Sequence, residues 1–231
     1  MKILGIDTSG RIASVAVTEG KNLLGELTYQ TNLTHSQIIL PLVKDLLSKL
    51  EISLDDIDCV AVSEGPGSYT GLRIGISAVR GMCFAQNKKC LGVSTLEALA
   101  NNVKCSSATI LAVMKARPSI AYFGVYKSEN EKLVQIVEDK LCGYDEIAEY
   151  ANTIDNGILV GDLADNIKSE LFENNNNILV APPSLKLQRA SSLCEIALNN
   201  QGKFSTCDKL NARYLQETKA EKDKNFSGGQ V

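Results

Sequence analysis

Asp7, Thr8 and Ser9 close an apolar run over residues 2–7 and are the first residues in the chain with types suited to chemistry. A carboxylate and two hydroxyls at a strand end suit a Mg²⁺ or phosphate contact. They equally suit a turn in which Asp and Ser cap backbone N–H groups. Further on, Glu64-Gly65-Pro66-Gly67-Ser68-Tyr69-Thr70-Gly71 forms a glycine-bracketed turn between an apolar strand and a helix. Backbone N–H groups at such a helix start can face an anion. No lysine follows Gly71, so the loop is not a P-loop, and Gly65 and Gly67 also fit a plain tight turn. Asp7, Ser9, Gly65 and Gly67 are therefore the candidates for a nucleotide or phosphate contact, and no other cofactor is indicated. Lys115-Ala116-Arg117 adds two cations at a later strand end, suited to a cleft or to solvent.

Composition narrows the chemistry. The chain has one His and seven Cys, with no CxxC pair, so a metal or disulfide framework is not expected. His35 reads as a helix-start imidazole more readily than as a catalytic one. A net charge of −3 and a pI near 5.4 argue against nucleic-acid binding through a broad basic surface of the chain's own. Neither a signal-peptide pattern nor a membrane-length apolar run is present, so a cytoplasmic protein is expected.

The elements that would position these residues follow from periodicity. Residues 2–7, 12–18 and 23–29 predict an antiparallel meander of three strands. A helix is predicted over 34–50, with capping-box spacing at Thr34 and Gln37 and a kink or later start because of Pro41. Strand 58–63, helix 70–86, strand 90–93 and helix 95–103 complete a βββαβαβα unit. The same order restarts with strands at 109–114, 121–127 and 133–142. A helix at 144–151, a strand at 158–160, a helix at 163–172, a strand at 178–180 and a helix at 188–199 follow. The expected division is 1–104 and 105–217, with 218–231 a polar tail expected to be disordered.

Two helices carry unusual faces. Ile39, Leu42 and Leu46 belong to a pair of apolar stripes on the 34–50 helix that is wider than one sheet requires. Gly71, Gly75, Ala78 and Met82, with Ile74 beside them, give the 70–86 helix a small-residue face. Either face fits partner contact, and the small face equally fits packing within the fold. Arg73 and Arg80 lie near that stripe and could flank a contact.

Gly5-Ile6-Asp7-Thr8-Ser9, His35-Ser36-Gln37-Ile38-Ile39-Leu40-Pro41-Leu42 and the segment Gly65 to Gly75 together resemble the bacterial TsaB family, the dimerisation subunits of the tRNA threonylcarbamoyladenosine machinery. The resemblance covers residues 1 to about 126 well. It implies an α/β acetate-kinase/actin/Hsp70-like fold with two RNase-H-like halves. It also implies a non-catalytic subunit that binds TsaD, with the ATPase TsaE docking on the pair. In the absence of TsaD two copies would pair, and tRNA would be met only through the complex. Ile39, Leu42, Leu46, Gly71, Ile74, Gly75, Ala78 and Met82 are the expected contacts. TsaD holds a metal through an HxxxH motif, and Thr95 and Leu99 stand at the matching positions here, so no metal and no catalytic residue is expected. The chain departs from the family at Lys115 and Ile120, where acidic residues are common, and at Ala212–Gln216. The alternative is an ATP-dependent phosphotransferase of the same fold.

Overall fold

The computed structural model describes residues 1–130 and 132–215; the expected tail at 218–231 lies outside the described residues. Strands β1 (Lys2–Asp7), β2 (Ile12–Glu19) and β3 (Asn22–Gln30) form the antiparallel meander, and β4 (Cys59–Gly65) and β5 (Lys89–Ser94) add in parallel. The sheet order is β3-β2-β1-β4-β5. β1 and β4 are buried along almost their whole length because both faces are covered, which is why they read as unbroken apolar runs. Leu4, Ile6, Val60 and Val62 point to helices α1 (His35–Lys49) and α2 (Tyr69–Gln86). Ile3, Cys59 and Ala61 point to the opposite face.

The second half repeats the plan. β6 (Thr109–Arg117), β7 (Ile120–Glu129) and β8 (Lys132–Gly143) are antiparallel, and β9 (Gly157–Val160) and β10 (Ile178–Val180) follow in parallel, in the order β10-β9-β6-β7-β8. Helices α4 (Tyr144–Ala151) and α5 (Ala164–Leu171) cover one face of this sheet.

The strands divide between residues 94 and 109, but two helices cross over. Helix α3 (Thr95–Asn101) follows the first sheet, yet Leu96, Leu99 and Ala100 pack on Ile110, Ala112 and Tyr126 of the second. After the short helix α6 (Pro183–Lys186), helix α7 (Ala190–Asn199) returns to the first sheet. A Cβ at Gly5 would stand 2.4 Å from Ala190 O, so glycine there is what lets α7 lie on β1. Polar bonds tie the exchanged helices together: Asn101 Nδ2 donates to Glu195 at 2.8 Å, and Ser192 Oγ donates to Asn102 at 2.6 Å.

Helix α1 starts at His35 and runs through Pro41 without the later start that Pro41 suggested. The missing N–H of Pro41 removes only a bond to Gln37 in the first turn. The Gln37 carboxamide also accepts from the Thr34 N–H at 3.1 Å, so the helix start is held from its side chain. Beyond α7 the chain forms a strap. Cys90 and Ser205 pair through both backbone bonds, and residues 210–215 run along α2. Among the described residues no helix is long and apolar enough to cross a membrane.

Candidate functional site

The glycine loop is filled by the chain itself. The Ser68 N–H donates to Ser9 O at 2.7 Å, the Gly71 N–H to Ser68 Oγ at 3.2 Å, and the Leu72 N–H to Ser68 O at 2.9 Å. Thr8 Oγ1 donates to Gly71 O at 2.8 Å. A Cβ at Gly67 would stand 2.3 Å from Ser9 O, and one at Gly71 would stand 2.1 Å from Thr8 O. Gly65, with φ +123°, faces Arg213 O of the strap. Glycine is required here because the end of β1 and the strap press on the loop.

Asp7 and Ser9 make the capping turn. Asp7 is fully buried, and its Oδ1 accepts from the Ser9 N–H at 2.8 Å and the Ser9 hydroxyl at 2.7 Å. Among the described residues neither Oδ2 nor the Ser63 hydroxyl has a hydrogen-bond partner of ordinary geometry, although the Ser63 hydroxyl lies near enough to favour the ionised Asp7 carboxyl. Burial pushes the Asp7 carboxyl above the ordinary carboxylate range, while the Ser9 bonds and the neighbouring His35 oppose that shift. His35 Nε2 lies 2.8 Å from Gly10 O; a carbonyl only accepts, so Nε2 carries the proton. The imidazole thus pins the start of α1 to the turn after β1.

Lys115 and Arg117 line a cleft of about 530 Å³ with Arg11, Tyr144 and Asp162. The Lys115 N–H donates to Asp162 Oδ1 at 2.9 Å. Burial raises the Asp162 carboxyl, and that backbone bond, Arg11 and Lys115 oppose it.

The expected contact residues separate into two groups. Ile39, Leu42 and Leu46 are 1%, 8% and 3% exposed and belong to the core beneath α1. Gly71 and Gly75 are buried, and their open sides face Thr8 of the same chain. Leu42, Leu46, Gly71 and Gly75 are turned onto the first sheet and the end of β1, whereas Ile39, although almost wholly buried, also reaches the groove between the two helices. Ile74, Ala78 and Met82 are half-buried, at the edge of that core. Ile74 and Ala78 line a groove of about 640 Å³ between α1 and α2, with Ile39 as floor and the exposed Leu40 and Tyr69 as walls. Leu40 and Tyr69 were not among the expected contacts. Their signal was a large apolar side chain one step off the buried stripe.

Arg73 and Arg80 hold the strap. Arg80 Nε donates to Leu210 O at 3.0 Å and Nη2 to Asn211 Oδ1 at 3.0 Å. Arg73 Nε donates to the Tyr214 hydroxyl at 3.0 Å while its guanidinium lies 4.0 Å over the Tyr69 ring. Tyr69 and Tyr214 stack at 4.9 Å.

Thr95 is buried and, among the described residues, its hydroxyl has no partner, while Leu99 is buried in the second-sheet core. A hydroxyl and a packed isobutyl group do not fit the two imidazole ligands of a metal. Among the described residues no three His, Cys, Asp or Glu side chains are grouped to hold one.

Comparison with known proteins agrees with this architecture. The family model described as TsaD: tRNA N6-adenosine threonylcarbamoyltransferase matches residues 27–222. The tRNA threonylcarbamoyladenosine biosynthesis protein TsaB of Bacillus subtilis is 32% identical over 61% of each chain, and that of Escherichia coli is 35% identical over 56% of each. The chain thus spans about three fifths of the length of these two relatives. TsaB of Buchnera aphidicola subsp. Schizaphis graminum is 34% identical over 60% of this chain and 72% of its own. Among solved structures, YeaZ from Pseudomonas aeruginosa superposes with a TM-score of 0.79 at 24% identity, over 93% of this chain and 99% of that one. The Acidaminococcus fermentans (R)-2-hydroxyglutaryl-CoA dehydratase component A superposes at 0.53 and 11% identity, over 88% of this chain and 100% of that one. The fold is that of the acetate-kinase/actin/Hsp70-like proteins. The chain belongs to the family that the matching model describes and, within it, to the bacterial TsaB proteins of tRNA threonylcarbamoyladenosine biosynthesis.

Proposed function

We propose that the chain is a non-catalytic, cytoplasmic subunit of the assembly that forms N6-threonylcarbamoyladenosine at position 37 of tRNAs reading ANN codons, and that it binds and supports the catalytic subunit TsaD. The observation that carries this reading is the α1–α2 groove, an apolar channel between two neighbouring helices whose walls are exposed Leu40 and Tyr69. A partner of the same fold carries the equivalent helix pair, so the two pairs can close as a four-helix bundle that buries both grooves. Without TsaD, two copies of this chain meet through the same face. TsaE docks on the heterodimer, and tRNA is met only through the complex, in keeping with the chain's net negative charge.

Support also comes from what the glycine loop does. Its glycines accommodate Thr8, Ser9 and Arg213, and several of its N–H groups are already bonded within the chain. The rival reading, an ATP-dependent phosphotransferase, draws on the unpartnered Asp7 Oδ2 and on the cations of the cleft. Co-expression with the host's TsaD followed by size-exclusion chromatography tests the first reading: the two chains co-elute, and Leu40→Glu separates them. Elution of the wild-type chains apart, or tight Mg-ATP binding with turnover by this chain alone, overturns it.

A further inference from the structure

The strap delivers the chain to the mouth of the α1–α2 groove. Tyr214, one residue before the end of the described chain, stacks on Tyr69 at 4.9 Å, and its hydroxyl accepts from Arg73 at 3.0 Å. Tyr69 and Arg73 both line the groove. From there it runs along α2 to Ala78, about 14 Å at the helical rise. Its apolar walls stay open to water: Leu40 is 50% exposed and Tyr69 is 40% exposed. Among the described residues no acidic side chain lines it.

The sequence continues for sixteen residues beyond Leu215, and Phe226 is the only aromatic residue among them, eleven positions on. The root-mean-square span of a chain of that length is about 20 Å, so Phe226 can reach any point of the groove from Leu215. Three lysines and three acids balance in this segment, so net charge neither drives nor forbids the approach. An open apolar groove and one aromatic side chain on a tether of matching length are thus joined in one chain.

We propose that residues 216–231 turn back so that the Phe226 ring seats between Leu40 and Ile74, and that this internal occupant competes with an incoming protein for the groove. The consequence for TsaD rests on the docking reading above; the internal contact does not. A short tether gives an effective concentration in the millimolar range, so a weak contact keeps the groove filled for much of the time. An incoming partner then meets only those chains whose groove is empty, and its apparent affinity falls by that fraction. A second copy of the chain meets the same competition. Leu215 packs against the second-half cluster that includes Tyr126, which offers the segment a rival course across the other half.

The photoreactive analogue p-benzoylphenylalanine is placed at Phe226 of the full chain and activated at low protein concentration. The monomer band is then digested with trypsin and mapped by mass spectrometry. The expected result is linkage of the C-terminal peptide to 22–44, which holds Leu40, or to 74–80, which holds Ile74 and Ala78. In parallel, Phe226→Ser and a chain ending at Leu215 should each bind TsaD about 3–10-fold more tightly than the full chain by calorimetry. Linkage to peptides of the second half, linkage only between two copies, or equal affinity of all three forms overturns the proposal. If no form binds TsaD, the subunit reading fails while the cross-link still decides the internal contact.

Discussion

Gly75 on α2 lies against Thr8 at the end of β1, so close that a Cβ at Gly75 would stand 2.3 Å from Thr8 Oγ1. That hydroxyl is buried and already donates to Gly71 O, so it cannot swing away without losing its bond. Gly75→Leu is therefore expected to lower stability by about 1–3 kcal/mol through overpacking. Gly81, on the same helix, is exposed and has nothing within 4 Å of its Cβ position. Gly81→Ala should raise stability by about 0.5–1 kcal/mol. Urea unfolding of both variants checks the pair; equal stability for Gly75→Leu and wild type would refute the close contact.

Ala78 lines the α1–α2 groove and is only half-buried. Ala78→Arg should abolish co-elution with TsaD while changing the unfolding free energy by less than about 0.5 kcal/mol. The two measurements separate a docking defect from a folding defect.

The Asp7 carboxyl has its folded-state value raised by burial above the ordinary 3.8. Between the unfolded and folded values the native state holds more protons than the unfolded state, so stability falls as pH rises through that interval. Asp7→Asn removes this dependence. The stability of wild type relative to Asp7→Asn should be greatest below the ordinary carboxylate value and decline as pH rises, measured by denaturant unfolding at a series of pH values. A relative stability that grows with pH over that range contradicts a carboxyl governed by burial.

Tyr214 fastens the strap by stacking on Tyr69 and accepting from Arg73. Tyr214→Ala should cost about 1 kcal/mol at most in global stability, because the site is partly exposed. Trypsin cleavage after Arg213 should nevertheless become several-fold faster, as local opening controls it. Unchanged cleavage would mean that the Arg213 N–H bond to Glu64 O holds the strap without help.

Element order was readable from sequence because it rests on local periodicity. The runs at 2–7 and 144–151 coincide with β1 and α4, and the two βββαβαβα series fold as two sheets of identical strand order. Which way a helix faces was not readable. A glycine stripe on α2 says that something approaches closely, and that something is Thr8 rather than a second protein. Likewise Leu42, Val43, Leu46 and Leu47 are all used by the sheet beneath α1, so most of the width of the apolar stripe goes to the core and Ile39 alone of the buried five also reaches the groove. The partners of Arg73 and Arg80 lie 141 and 130 residues away, beyond any local pattern.

The exchange of α3 and α7 sets a timetable for biosynthesis. The apolar face formed by Ile3 and Ala16 is covered by Leu193 and Cys194, which follow Ile3 by about 190 positions. At translation rates of about 5–20 residues per second, that face waits on the order of 10–40 s for its own cover. During this interval the nascent first sheet is a substrate for chaperones or for mispairing with another nascent chain. Slowing synthesis before residue 190 lengthens that exposure.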